Sequence, residues 1–166
     1  QGEKYLVHPS WLPSGDGVLF AIYDASARSV GISALDLRTR KVTRLLPNGD
    51  NPRYVTTGHL LYARDSALYA VPFDPGSRRV TGAPRMVEPN VQTGWYQEPS
   101  QGHFAVSASG ILAYVRGERD TVPRRDRVAI ATRAGVETLL DDPRSLPGGV
   151  SVAIDTASSS VTVALT

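Results

Sequence analysis

Apolar residues alternate with small and polar ones along most of this chain, in short runs that each follow a glycine turn. Three runs share the pattern: Gly17-Val-Leu-Phe-Ala-Ile-Tyr23 after Ser14-Gly-Asp16, His59-Leu-Leu-Tyr-Ala-Arg64 after Thr57-Gly58, and Ile111-Leu-Ala-Tyr-Val115 after Ser109-Gly110. A weaker fourth, Val161-Thr-Val-Ala-Leu165, follows three serines. A period of two marks β-strands, and the 3.6-residue spacing of helices is nearly absent. The runs recur every roughly 40 to 50 residues, a period that in an all-β chain points to propeller blades.

Extending the runs outward predicts an all-β chain, residues 1–166 forming a single domain of four-stranded antiparallel units. The first covers residues 9–46, the second 52–88 and the third 103–140, with Gly- and Asp-containing turns between strands. Two remnants lie outside them. Residues 5–7 read as an outer strand before the first unit, and residues 150–154 and 161–165 as the two inner strands of a partial fourth blade. The expected fold is therefore a partial β-propeller of about three full blades, with unpaired strand edges at both ends. Two chains could close such a ring if each paired residues 150–165 with residues 5–7 of its partner, so a homodimer is expected. A monomer that wraps its terminal strands onto its own first blade is the alternative.

Composition narrows the classes. Apolar residues make up 41% and charged residues 20%, as in ordinary globular proteins. A net charge of +2 gives no strong attraction to nucleic acid. Arg116, Arg119, Arg124, Arg125 and Arg127 form a basic run, but Glu118, Asp120 and Asp126 are interleaved, so a solvated loop competes with a polyanion site. The absence of cysteine excludes disulfides and thiolate metal sites and leaves the compartment open. No apolar run approaches the roughly 20 residues of a membrane span, and the N-terminus lacks signal-peptide regions.

Several phrases carry a family resemblance. Ser10-Trp-Leu-Pro-Ser-Gly15, Asn51-Pro-Arg-Tyr-Val55, Gly58-His-Leu-Leu-Tyr-Ala-Arg-Asp65, Leu68-Tyr-Ala-Val-Pro-Phe-Asp74 and Phe104-Ala-Val-Ser-Ala-Ser-Gly110 resemble TolB-type, WD-like β-propeller repeats. They are similar to the propeller found C-terminal to bacterial serine/threonine protein kinase domains. The resemblance covers nearly the whole chain and implies a propeller that binds rather than catalyses, in a periplasmic or extracytoplasmic setting. The chain departs from the pattern at Ile154-Asp-Thr-Ala-Ser158, where a Ser-Pro-Asp-Gly turn would stand.

Catalytic signatures are missing. There is no Gly-x-Ser-x-Gly elbow, His-Glu-x-x-His pair, Walker loop or Gly-x-Gly-x-x-Gly fingerprint, and no kinase motif. No cofactor is implied. His8, His59 and His103 fall at unrelated blade positions, which favours surface or strand-end roles over a shared metal. Asp24 and Asp65 follow the second strands of their units, where acids cap turn amides or, alternatively, serve acid–base catalysis.

One segment exceeds what a hairpin needs: residues 91–102, which hold Trp95, Tyr96, Gln97, Glu98 and Gln101. Paired aromatics with amide and carboxylate neighbours can stack a ligand and bind its edges; they can equally fold back to plug the channel or a blade edge. In up-and-down blades this segment and residues 117–126, with Arg124 and Arg125, share one face of the disc. Arg53 and His103, beginning inner strands, would approach the channel from the same side. The expected role is recognition of a small molecule or protein on that face by Trp95, Tyr96, Gln97, Glu98, His103, Arg53, Arg124 and Arg125. A hydrolase or lyase activity at the channel mouth using His103 and Glu98, and an assembly role for exposed blade edges, are the alternatives.

Overall fold

The computed structural model describes residues 4–26, 28–95, 98–107, 110–117, 127–132, 135–141, 150–155 and 160–165. Side chains are described up to residue 93 and over 102–107 and 110–117. The chain is all-β, its strands pairing antiparallel throughout, and no helix occurs among the described residues.

The first sheet is a meander of β1 (Lys4–Trp11), β2 (Gly17–Asp24), β3 (Ser29–Asp36) and β4 (Val42–Leu46). The second begins with β5 (Asp50–Val55), β6 (His59–Arg64) and β7 (Ala67–Asp74). The far end of β7 pairs with the short β8 (Arg79–Val80), and its near part with β9 (Arg85–Pro89). A hairpin of β10 (Thr93–Trp95) and β11 (Glu98–Gly102) comes next. The third four-stranded sheet is β12 (Phe104–Val106), β13 (Leu112–Arg116), β14 (Arg127–Thr132) and β15 (Gly135–Asp141), and β16 (Val150–Asp155) with β17 (Ser160–Leu165) closes the chain as a two-stranded sheet.

Two expectations need correction. Tyr5, Leu6 and Val7 are register partners of Tyr23, Ile22 and Ala21, so they open the first strand of the first sheet and are not a separate outer strand. The sheet already has its outer strand in β4, which removes the basis for pairing residues 5–7 with residues 150–165 of a partner. The break that made the strand look divided is a bulge between Val7 and Ser10, where His8 has a φ of 54° and Pro9 has no amide to donate. Second, residues 91–102 are not an open loop, because β10 and β11 pair within them.

The same bulge recurs in β5, between Asp50 and Arg53, with Asn51 at φ 48° ahead of Pro52. Arg53 therefore lies inside its strand, not at the start of it.

Sheets stack face to face. Leu19, Ile32 and Ala34 of the first sheet pack with Leu60, Tyr62, Val71 and Phe73 of the second. The opposite face of the second sheet sends Leu61, Ala63 and Leu68 against Phe104, Leu112 and Tyr114 of the third. β6 thus buries both faces, which is why Leu60-Leu-Tyr-Ala63 reads as an unbroken apolar run. Removing a Tyr- or Leu-sized side chain from water contributes about 1.5–3 kcal/mol, so these two seams are the main source of stability. On the turn side Arg78 ties the stack, its guanidinium 3.0 Å from Asp16 and 2.9 Å from Asp36 of the first sheet. First strands also run side by side: β1 lies along β5, β5 approaches β12, and β12 lies beside β16.

Candidate functional site

The connection between the first two sheets delivers Asp50 and Asn51 to a junction where three chain segments meet. Asp50 is 3% exposed. Its Oδ1 lies 2.6 Å from Nδ1 of His8, and its Oδ2 accepts a hydrogen bond from the Gly102 amide at 3.2 Å. Asn51 donates from Nδ2 to the Gly102 carbonyl at 2.8 Å, so adjacent residues of β5 hold both the amide and the carbonyl of one residue of β11. A buried carboxylate needs such partners, since leaving it unpaired costs about 1–3 kcal/mol or more.

Glycine at 102 is dictated by approach. A Cβ there would lie 2.2 Å from Cβ of Ala63, closer than any side chain tolerates. The bare backbone seats β11 on β6 and sets the base of the hairpin. Next to it the main chain of His103 is fixed on both sides, its amide donating to the Gln92 carbonyl at 3.0 Å and its carbonyl accepting from Val115 at 3.0 Å. Asn90 and Gly117 bond across the same seam, and Val91 bridges to Arg116.

Arg53 projects from β5 at the register position of Leu61, on the face turned toward the third sheet. Its side chain is half-buried, and its described hydrogen bond is to the carbonyl of Pro52 at 3.2 Å. Burial pushes its pKa down from the usual arginine value, and the charge of Asp50 pulls it back up. Asp50 is already engaged by His8 and Gly102, and no salt bridge to Arg53 occurs among the described residues.

Of the sequence-derived candidates, Arg53 stands on β5 three residues after Asp50, and His103 directly follows Gly102 in the chain. The backbones of Trp95 and Glu98 are cross-strand partners at the hairpin end. Tyr96, Gln97, Arg124 and Arg125 lie outside the described residues. His8 and Asp50 were missed, because a histidine before proline near the chain start and an acid in a Gly-Asp-Asn turn look like ordinary connector residues. A usable signal existed in the repeat: His8-Pro9 and Asn51-Pro52 occupy the same bulge, and the side chain before each proline reaches the chain segment that leads into the next sheet, Asp50 from His8 and Gly102 from Asn51.

The remaining polar candidates resolve into turn chemistry. Asp24 accepts from the amides of Ser26 and Arg28, the expected capping role. Asp65 acts through its backbone, since it and Ser66 both have positive φ, 50° and 59°, as a two-residue hairpin turn requires. His59 stands at the other end of β6, with Nδ1 3.1 Å from the Thr57 hydroxyl. Among the described residues no three His, Asp or Glu side chains are grouped to hold a metal ion.

The sequence matches no family model and no curated protein. In structure the chain is similar to the solved Kuenenia stuttgartiensis hydrazine synthase, with a TM-score of 0.57 and 15% identity. The likeness covers 95% of this chain and 49% of that one, so this chain spans about half the length of the protein it matches. At that identity the likeness concerns the fold: an all-β chain of successive antiparallel sheets.

Proposed function

We propose that the chain is a β-propeller-type recognition module that binds an acidic group of a small molecule or protein without transforming it. The stacked meanders and side-by-side first strands support the propeller reading, with β1, β5, β12 and β16 as inner strands around an axis. The observation that carries the binding reading is Arg53: a half-buried guanidinium on an inner strand whose nearest carboxylate is committed elsewhere. A carboxylate or phosphate offers the planar two-oxygen partner that arginine's fork prefers. The β10–β11 hairpin, whose backbone includes Trp95 and Glu98, is anchored beside it through Gly102, which supports a fixed rim to the site.

Calorimetric titration with citrate and with an acidic pentapeptide tests this reading. Saturable binding of either probe is expected, weakened at least tenfold by Arg53→Gln and unchanged by Arg28→Gln on an exposed turn. Equal affinity in Arg53→Gln, no saturable binding of either probe, or a chemically altered probe would contradict it.

A further inference from the structure

Charge is unevenly placed along this chain. Three turns at one end of the first two sheets hold five cations and three carboxylates: residues 12–17 between β1 and β2, 36–42 between β3 and β4, and 74–80 between β7 and β8. The net charge of the whole chain is +2, so these turns alone account for it.

Their carboxylates are turned to internal contacts. Asp36 accepts through Oδ1 from the amides of Arg38 and Thr39 at 2.9 and 2.8 Å, and its Oδ2 lies 2.9 Å from the Arg78 guanidinium. Asp16 meets the same guanidinium at 3.0 Å. Asp74 accepts from the Gly76 amide at 3.0 Å and the Ser77 hydroxyl at 2.5 Å. Arg78 thus draws the β7–β8 turn against both turns of the first sheet, with its own side chain only 12% exposed. The other four cations, Arg38, Arg40, Lys41 and Arg79, are exposed, and none of them forms an ion pair among the described residues.

We propose that this end of the sheets rests on an anionic lipid surface, where Arg38, Arg40, Lys41 and Arg79 meet the headgroup phosphates. Arginine's fork suits a phosphate, and each cation held near such a surface strengthens binding about fivefold. The turns that carry them are fixed by their own aspartates and by Arg78, so little ordering is needed on contact. Leu37, exposed between Asp36 and Arg38, adds the apolar contact that accompanies charge in interfacial binding. These turns have no aromatic side chain to stack a base and no helix to enter a groove, which sets them apart from a nucleic-acid site. The surface uses neither Arg53 nor the β10–β11 hairpin, so it stands or falls separately from the recognition of a soluble acid.

Co-sedimentation of the chain with vesicles tests it, with far-UV circular dichroism as the fold control. Vesicles of equal parts phosphatidylcholine and phosphatidylglycerol should bind the chain, and vesicles of phosphatidylcholine alone should not. Raising salt from about 0.1 M to about 1 M, which shortens the Debye length from about 10 Å to about 3 Å, should release it. Arg38→Gln and Arg79→Gln, both at exposed positions, should each weaken binding about fivefold, and together by at least tenfold. Arg28→Gln, in the β2–β3 turn at the other end of the first sheet, should leave binding unchanged. Failure to bind anionic vesicles, equal binding to both vesicle types, or full affinity in the double variant would overturn the proposal. A loss in Arg28→Gln as large as in Arg79→Gln would also overturn it, as the mark of diffuse charge. Tighter binding of a DNA duplex than of anionic vesicles at equal phosphate would overturn it in favour of a nucleic-acid surface.

Discussion

Gly102 and Asp50 concentrate the structural logic of the site at single residues. Replacing Gly102 with Ala forces a methyl into the Ala63 side chain, and overpacking of this kind costs about 1–3 kcal/mol. Urea unfolding should show that loss, and Ala63→Gly in the same chain should recover most of it. Asp50→Ala should cost about 1.5–3 kcal/mol, the range for hydrogen bonds to a charged group, because it strands the Gly102 amide and frees His8. His8→Ala should cost less than Asp50→Ala, since Asp50 keeps the Gly102 amide. Equal losses in the two variants would mean the pair acts only through His8. Arg53 was legible as a strand residue, although the sequence placed it at the start of a strand and the structure places it within β5. The His8–Asp50 pair was not, since it joins residues 42 apart and depends on a left-handed bulge that single-chain patterning does not reveal.

Strands were readable because their signal is local, and the errors arose where tertiary contact overrides it. The third sheet and the terminal hairpin fall within a residue of their expected limits, each bounded by a turn glycine, serine or aspartate. Residues 5–7 were misassigned because a Pro-containing bulge interrupts alternation without ending the strand. The hairpin in residues 91–102 escaped notice because Thr93 to Gly102 lacks alternation, and its pairing rests on contacts to β5 and β6. Turn carboxylates make an acid-sensitive set. Hydrogen bonds from the Ser14 hydroxyl to Asp16, the Arg28 amide to Asp24, the Thr39 amide to Asp36 and the Ser77 hydroxyl to Asp74 hold these groups below the usual aspartate value. A depressed folded-state pKa contributes stability that is complete above the unfolded value near pH 4 and disappears as pH falls through the folded value. The urea midpoint should therefore drop on acidification from about pH 5. Asp36→Asn, which keeps an accepting oxygen but cannot titrate, should flatten that drop; an unchanged acid slope would exclude Asp36 from the set.

At the scale of the whole molecule, the sheets act as repeats stacked through alternate faces, with their first strands gathered on one side. That arrangement brings β5, with Asp50 and Arg53, to the base of the β10–β11 hairpin, although the strand and the hairpin belong to separate sheets. Repetition made the sheets predictable. The His8–Asp50–Gly102 junction, which joins side chains and backbone from separate strands, was not. Binding energy at such a site resides in a few anchored groups, so an arginine on a rigid strand beside a clamped hairpin is a stronger basis for recognition than the surrounding loops. The central claim is that an acidic ligand enters at this junction. The most direct test is amide chemical-shift mapping during citrate titration of the intact chain. The account predicts saturable shifts clustered at Arg53, Tyr54, Gly102 and His103 that vanish in Arg53→Gln. Shifts scattered over the exposed turns, or the same clustered shifts persisting without Arg53, would contradict it.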